Sequence, residues 1–305
     1  MSEITEAIQA PLSQLGGIFG VAFRSAAIVL VISILVGIVG KLAISGDKTV
    51  DLAGVLVISM LAVGDARAFM GLGKETISGL SDFSKALLPT LAAAAAASGA
   101  PASSAAQFTI TALFMDILIT VSKDILTPMI FCYLAAEIAG AASDSEIMSA
   151  AAGFLKWACA GLLTIIVLVF VLFLSISGIV GSATDAAAIR VTKTAISTAL
   201  PVVGGILTDA AGSVLAGAMT LRNTIGITGM ASVLTISLIP FLRLGAQYLL
   251  YKASGKLSAG VTGGRIARLV SGIASAFGLC LAMVGACGLM LFFSLIAMLS
   301  VRGGM

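Results

Sequence analysis

The sequence predicts an all-α polytopic membrane protein of about eight crossings, with Pro/Gly-broken helices and a candidate inverted repeat. Three observations predict it. Of the 305 residues, 59% are hydrophobic and 10% charged, and the mean hydropathy is +1.17. A soluble domain carries about 25% charged residues. Two stretches, 157–184 and 269–301, hold no charged residue, and each exceeds the roughly 20 residues that a bilayer requires. The remaining apolar stretches are interrupted by proline, glycine and single charges, as in helices that line something other than lipid.

In chain order, residues 1–24 carry Glu3 and Glu6 and lack the basic n-region of a signal peptide. Ile4, Ala7, Ile8, Leu12 and Leu15 fall at helical spacing, so 1–24 reads as an amphipathic N-terminal arm at the membrane surface. Residues 25–305 form the transmembrane helical domain. Its first span is 25–40, flanked by Arg24 and Lys41. The next is 52–64, which continues past Asp65 and Arg67. Residues 87–106 are almost all small, and small residues let helices approach closely in lipid. The span 108–130 carries Asp116, Lys123 and Asp124. After 157–184 come 204–221 and 224–242, read as a pair joined by a turn at Arg222-Asn223. The last span is 269–301.

Orientation follows the basic loops. Residues 243–268 hold Arg243, Lys252, Lys256, Arg265 and Arg268 and no acid, which makes this loop cytoplasmic. Residues 131–155 hold Glu137, Asp144 and Glu146 and no base, which assigns them to the other side. Eight crossings then put both termini outside the cytoplasm. Pro89 and Pro201 are 112 residues apart, and so are Pro128 and Pro240. That shift outlines two halves, 45–156 and 157–268. With three crossings each, the halves are inverted, an arrangement known among transporters; a chance coincidence of proline spacings is the alternative.

The composition excludes several functions. A net charge of +3, without a patch of basic and aromatic residues, gives no reason to expect nucleic acid. There is no histidine, the commonest metal ligand and general base. Cys132, Cys159, Cys280 and Cys287 lie in apolar segments without a CxxC pair and read as small buried hydrophobes. No metal site, cofactor or enzymatic activity is expected.

The stretch from 200 to 229, "LPVVGGILTDAAGSVLAGAMTLRNTIGITG", is apolar yet contains Pro201, Gly204, Gly205, Asp209, Arg222, Asn223 and Gly226. Proline removes a backbone donor, and glycine permits close approach. This stretch therefore reads as a helix interruption beside a central pathway, with Pro89, Pro128 and Pro240 as the other breaks. Asp209 either carries a proton or cation or pairs with Arg222. Asp116 and Lys123, seven apart, either share a stripe facing the bundle interior or, for Lys123, sit among headgroups. Asn223 completes the set of translocation or ion-binding candidates.

"ALPVVGGILTDAAGSVLAGAMTLRNTIGITG", followed by "LIPFLRLGAQYLLYK", resembles the signature half of the stage III sporulation protein AE family. The matching residues are Pro201, Val202, Val203, Gly204, Gly205, Asp209, Asn223, Gly226 and Gly229. Arg222, Thr208 and Ala186 depart mildly from the family pattern. The resemblance covers roughly 85–299. It implies an integral subunit of the mother cell–forespore channel, or feeding-tube, complex of endospore formation. It further implies the outer forespore membrane, on the mother-cell side, as its location. Its partners would be the other membrane proteins of that complex, the lipid bilayer and a second copy of itself. Moving a small solute or ion, serving as a non-conducting scaffold, and acting as a stand-alone secondary transporter are the three readings the residues leave open.

Overall fold

A computed structural model describes residues 20, 22–39, 48–97, 101–199, 204–260, 262 and 264–300. Within the helices, the side chains of 48, 51, 101–104, 107, 173–219, 222, 297, 298 and 300 lie outside the description. The expected arm at 1–24 falls almost wholly outside it too, as does Pro201. The described chain is helical apart from two tight turns and contains no strand. Its helices are α1 (Ala22–Val39), α2 (Lys48–Ala97), α3 (Pro101–Thr120), α4 (Thr127–Ser143), α5 (Glu146–Ala199), α6 (Gly204–Ala259) and α7 (Gly264–Ser300). A six-residue π segment, Val121–Leu126, joins α3 to α4.

Among the described residues, six helices are long and apolar enough to cross a membrane. The difference from about eight has a physical reason. A turn inside hydrocarbon strands several backbone groups that lipid cannot satisfy, so the chain stays helical through its polar steps. α6 is continuous over 56 residues and has no turn at Arg222-Asn223. Thr224, Thr228, Ser232 and Thr235, in and after that step, each donate a hydroxyl hydrogen bond to the carbonyl four residues back. α2 likewise runs 50 residues, through Pro89, before it ends at Ala97. At 1.5 Å per residue, a straight helix of that length spans about 75 Å, well beyond a ~30 Å hydrocarbon layer.

Pro89, Pro128 and Pro240 do not end the helices they stand in. Pro89 and Pro240 lie inside α2 and α6. Pro128 stands in the first turn of α4, directly after the π segment. Its ring excludes the regular α bond and crowds the carbonyl one turn back, and widening the helix relieves both. Thr127 closes the widened turn: its backbone N–H and its hydroxyl both donate to the Ser122 carbonyl, the hydroxyl at 2.6 Å.

The chain divides into two compact units. The first comprises Met1–Ile77, Thr120–Thr164 and Ile236–Gly285; the second comprises Ser78–Ile119, Ile165–Thr235 and Ala286–Met305. In the first unit, the turn at 144–145 joins α4 to α5, and Gly260 begins a turn between α6 and α7. Arg265 pairs with Asp144 at 2.8 Å, so the two turns share one end. This corrects the expectation that 131–155 and 243–268 lie on opposite sides. The acidic and basic segments attract each other directly. Both are also mostly helical rather than looped. α1 runs toward that end: Ala22 packs with Ala246, and the Ser254 hydroxyl donates to the Ala26 carbonyl at 3.2 Å.

The 112-residue shift lays most of α2 on 160–199 of α5 and its last residues on 204–209 of α6, and the chain from 101 to 143 on α6. Each half then spans two long helical passes rather than three.

α7 forms the centre of the first unit's core. Leu269, Val270, Ile273, Ala274 and Phe277 cluster with Val29 of α1, Val55 and Ile58 of α2, and Tyr251 of α6. Phe277 meets the Tyr251 ring edge-on at 5.0 Å. The α6–α7 contact is closest at Gly255, where an added Cβ would lie 3.1 Å from the Ser271 backbone nitrogen. Backbone cannot move aside as a side chain can. Gly255→Val is therefore expected to destabilise the protein in detergent by about 1–3 kcal/mol, the usual cost of overpacking, read from its thermal unfolding midpoint. The shared end of the two turns has a separate test. Cysteines at Ser143 and at Leu257, each in a variant lacking the native cysteines, should react with an impermeant thiol reagent from the same membrane side. Reaction from opposite sides would contradict the Arg265–Asp144 pairing.

Candidate functional site

The second unit contains a cavity of about 310 Å³. One wall is the C-terminal half of α2, where Ser81, Ser84, Lys85 and Leu88 recur at the three- and four-residue steps of a single helix face. Pro89 extends that wall. The other wall is α3, with Phe108, Ala112, Met115, Asp116 and Ile119 at the same kind of spacing. α3 is held in place within its unit by a buried hydrogen bond between the Thr111 and Ser294 hydroxyls. The Phe114 ring also meets Phe170 edge-on at 5.7 Å.

Pro89 donates no backbone hydrogen bond, so the Lys85 carbonyl, four residues earlier, loses its helical partner beside the cavity. Nearby hydroxyls are already committed: Ser84 to the Ser81 carbonyl and Thr90 to the Leu87 carbonyl, both at 2.7 Å. Lys85 and Asp116 both line the cavity and form no ion pair with each other. Lys85, Pro89 and Asp116 are exposed where they line it, so an ammonium and a carboxylate border one open, largely apolar cavity. Such a lining offers a counter-charge to a small ion of either sign, or to both ends of a small dipolar solute.

The remaining sequence candidates are distributed differently. Asp116 and Pro89 meet at this cavity. Lys123 lies in the π segment, is exposed and does not line it. Asn223 is exposed on α6. Gly226 does not break α6; it is buried, and an added Cβ would collide with Leu299. Gly204 opens α6 and Gly205 follows within it. The side chains of Asp209 and Arg222 lie outside the description, but their backbones belong to one continuous helix. Thirteen residues along a helix separate two positions by about 20 Å. The reading in which Asp209 pairs with Arg222 across a hairpin is thereby removed. Of the cysteines, Cys159, Cys280 and Cys287 are buried, whereas Cys132 is exposed.

Sequence reasoning missed a second polar cluster, in the first unit. Glu137 of α4 packs against Gly272 of α7, where an added Cβ would stand 2.7 Å from its Oε2. Tyr133, one turn earlier, donates to the Gly272 carbonyl at 2.9 Å. Lys156 donates to Ser275 at 3.0 Å, and Lys156 and Arg268 are close enough to act electrostatically on Glu137. The four-residue Tyr133–Glu137 spacing was a weak signal. Its meaning depends on Gly272, more than a hundred residues away.

A cavity open to water makes a checkable claim. In a variant without native cysteines, Ala112→Cys should react with a small charged thiol reagent. A cysteine replacing Leu168, which is exposed on the apolar surface of α5, should react at least tenfold more slowly.

The sequence model of the family "Stage III sporulation protein AE" matches residues 4–302 of the chain. The stage III sporulation protein AE of Bacillus subtilis (strain 168) is 25% identical over 240 residues, which cover 79% of this chain and 60% of that protein. The chain therefore spans under two thirds of the length of that curated relative. No solved structure matches it.

Proposed function

Because the chain belongs to the stage III sporulation protein AE family, a role in sporulation follows, and we propose a specific one. The protein is an integral subunit of the channel complex that joins mother cell and forespore, and it moves a small solute or ion through that complex. It lies in the outer forespore membrane, with the 243–268 stretch facing the mother-cell cytoplasm. Its partners are the other membrane proteins of the complex, together with a second copy of itself. It performs no enzymatic step.

One observation carries the transport reading. Asp116 and Lys85, of opposite charge, line one open and largely apolar cavity. Charges at membrane depth are costly and persist where they serve a pathway or a partner. A purely packed scaffold gains nothing from two opposite charges that line one cavity without pairing with each other. The location rests on the family and on the five basic residues of 243–268.

The test uses Asp116→Asn and Asp209→Asn in a sporulating host, with membrane level and co-purification of partners measured alongside spore yield. Asp116→Asn is expected to assemble normally and to lower spore yield at least tenfold. Normal yield would remove the cavity from the function. Loss of assembly together with loss of spores would support a scaffold instead.

A further inference from the structure

A second carboxylate with buried polar partners lies in the first unit. Asp65 sits about a third of the way along α2 and is half-buried. Two side chains of α6, one turn apart, converge on it. The Tyr251 hydroxyl donates to Asp65 Oδ2 at 2.6 Å, and Gln247 Nε2 donates to the same oxygen at 3.2 Å. Among the described residues, no cation pairs with Asp65. Tyr251 and Gln247 are both 0% exposed.

The donor and acceptor inventory does not balance. Gln247 spends its amide nitrogen on Asp65, so its Oε1, on the same planar group, is buried with no donor to meet it. Flipping the amide would not help, because Oε1 would then face the carboxylate oxygen. A buried acceptor without a donor is costly, and the half-buried Asp65 carboxylate has no cation beside it among the described residues. Both deficits have the same sign, and one positive charge beside the Asp65 carboxylate and Gln247 Oε1 corrects both. Carboxylate and amide carbonyl oxygens are the ligands that hard cations prefer. Tyr251 is itself locked by the Phe277 ring at 5.0 Å, so the site is preorganised rather than assembled from mobile side chains.

We propose that Asp65 and Gln247 hold a small monovalent cation between α2 and α6. The cation neutralises Asp65 and ties the two helices together.

The experiment uses the purified full chain in detergent. Thermal unfolding is followed in LiCl, NaCl, KCl and choline chloride at equal ionic strength and fixed pH. A small alkali cation should raise the midpoint by several degrees over choline, in a saturable manner. Gln247→Leu removes the unmet oxygen and should abolish that shift; Thr164→Val, at an exposed hydroxyl bonded within its own helix, should keep it. Retention of ²²Na⁺ by the unaltered protein is measured as well, so the outcome does not depend on the variant folding. Equal midpoints in all four salts, or no retained ²²Na⁺, overturn the proposal. So does an undiminished shift in Gln247→Leu.

Discussion

The structure depends on one constraint: a backbone amide or carbonyl inside hydrocarbon must find its partner within the protein. In this chain the constraint overrides local preference repeatedly. Helices run on through Pro89, through Pro240 and through the Arg222-Asn223 step. Serine and threonine hydroxyls, weak helix formers in water, return their hydrogen to a carbonyl in the preceding turn at Ser33, Ser59, Thr76 and Thr164. The result is a small number of very long helices rather than a larger number of short ones.

With the backbone committed to helix, the polar groups the helix cannot satisfy become few and local. Pro89 frees one carbonyl beside Lys85 and Asp116. Pro128 is accommodated by widening the helix, and the buried Ser122 hydroxyl there is left unpartnered. Gln247 Oε1 is the other buried polar side-chain atom without a partner among the described residues. Packing supports these exceptions through small residues. Gly255 admits the α7 backbone, Gly272 makes room for Glu137, and Gly73 approaches Cys280 so closely that an added Cβ would lie 2.7 Å from its sulfur. Association by close approach, rather than by hydrophobic drive, is what lipid allows.

The helical, membrane-spanning class was legible from composition, because a chain with 59% hydrophobic residues has no other way to cover its surface. Asp116 and Pro89 stand out in the sequence as well, since each violates the pattern of its own segment. Helix continuity was not. Proline, glycine and paired polar residues predict breaks in water, and the bilayer reverses that preference at 222–223. The side assigned to 131–155 failed because charge counting treats each segment alone, whereas Asp144 and Arg265 choose each other across 121 positions. Asp65 was hidden for a related reason. In sequence it belongs to a balanced run of charges ending at Lys85, and its partners Gln247 and Tyr251 lie more than 180 positions away.

Val121–Leu126 also acts as a phase shifter. A π turn takes up roughly one residue more than an α turn, which rotates everything after it by about 100° relative to an unbroken helix. Tyr133 reaches the Gly272 carbonyl, and Glu137 the space beside it, only in the rotated frame. Were the segment to tighten into regular α-helix, both side chains would swing away from α7 in a single step. The bulge is thus a rotary register mark for α4, and Pro128, directly behind it, keeps the register from slipping back.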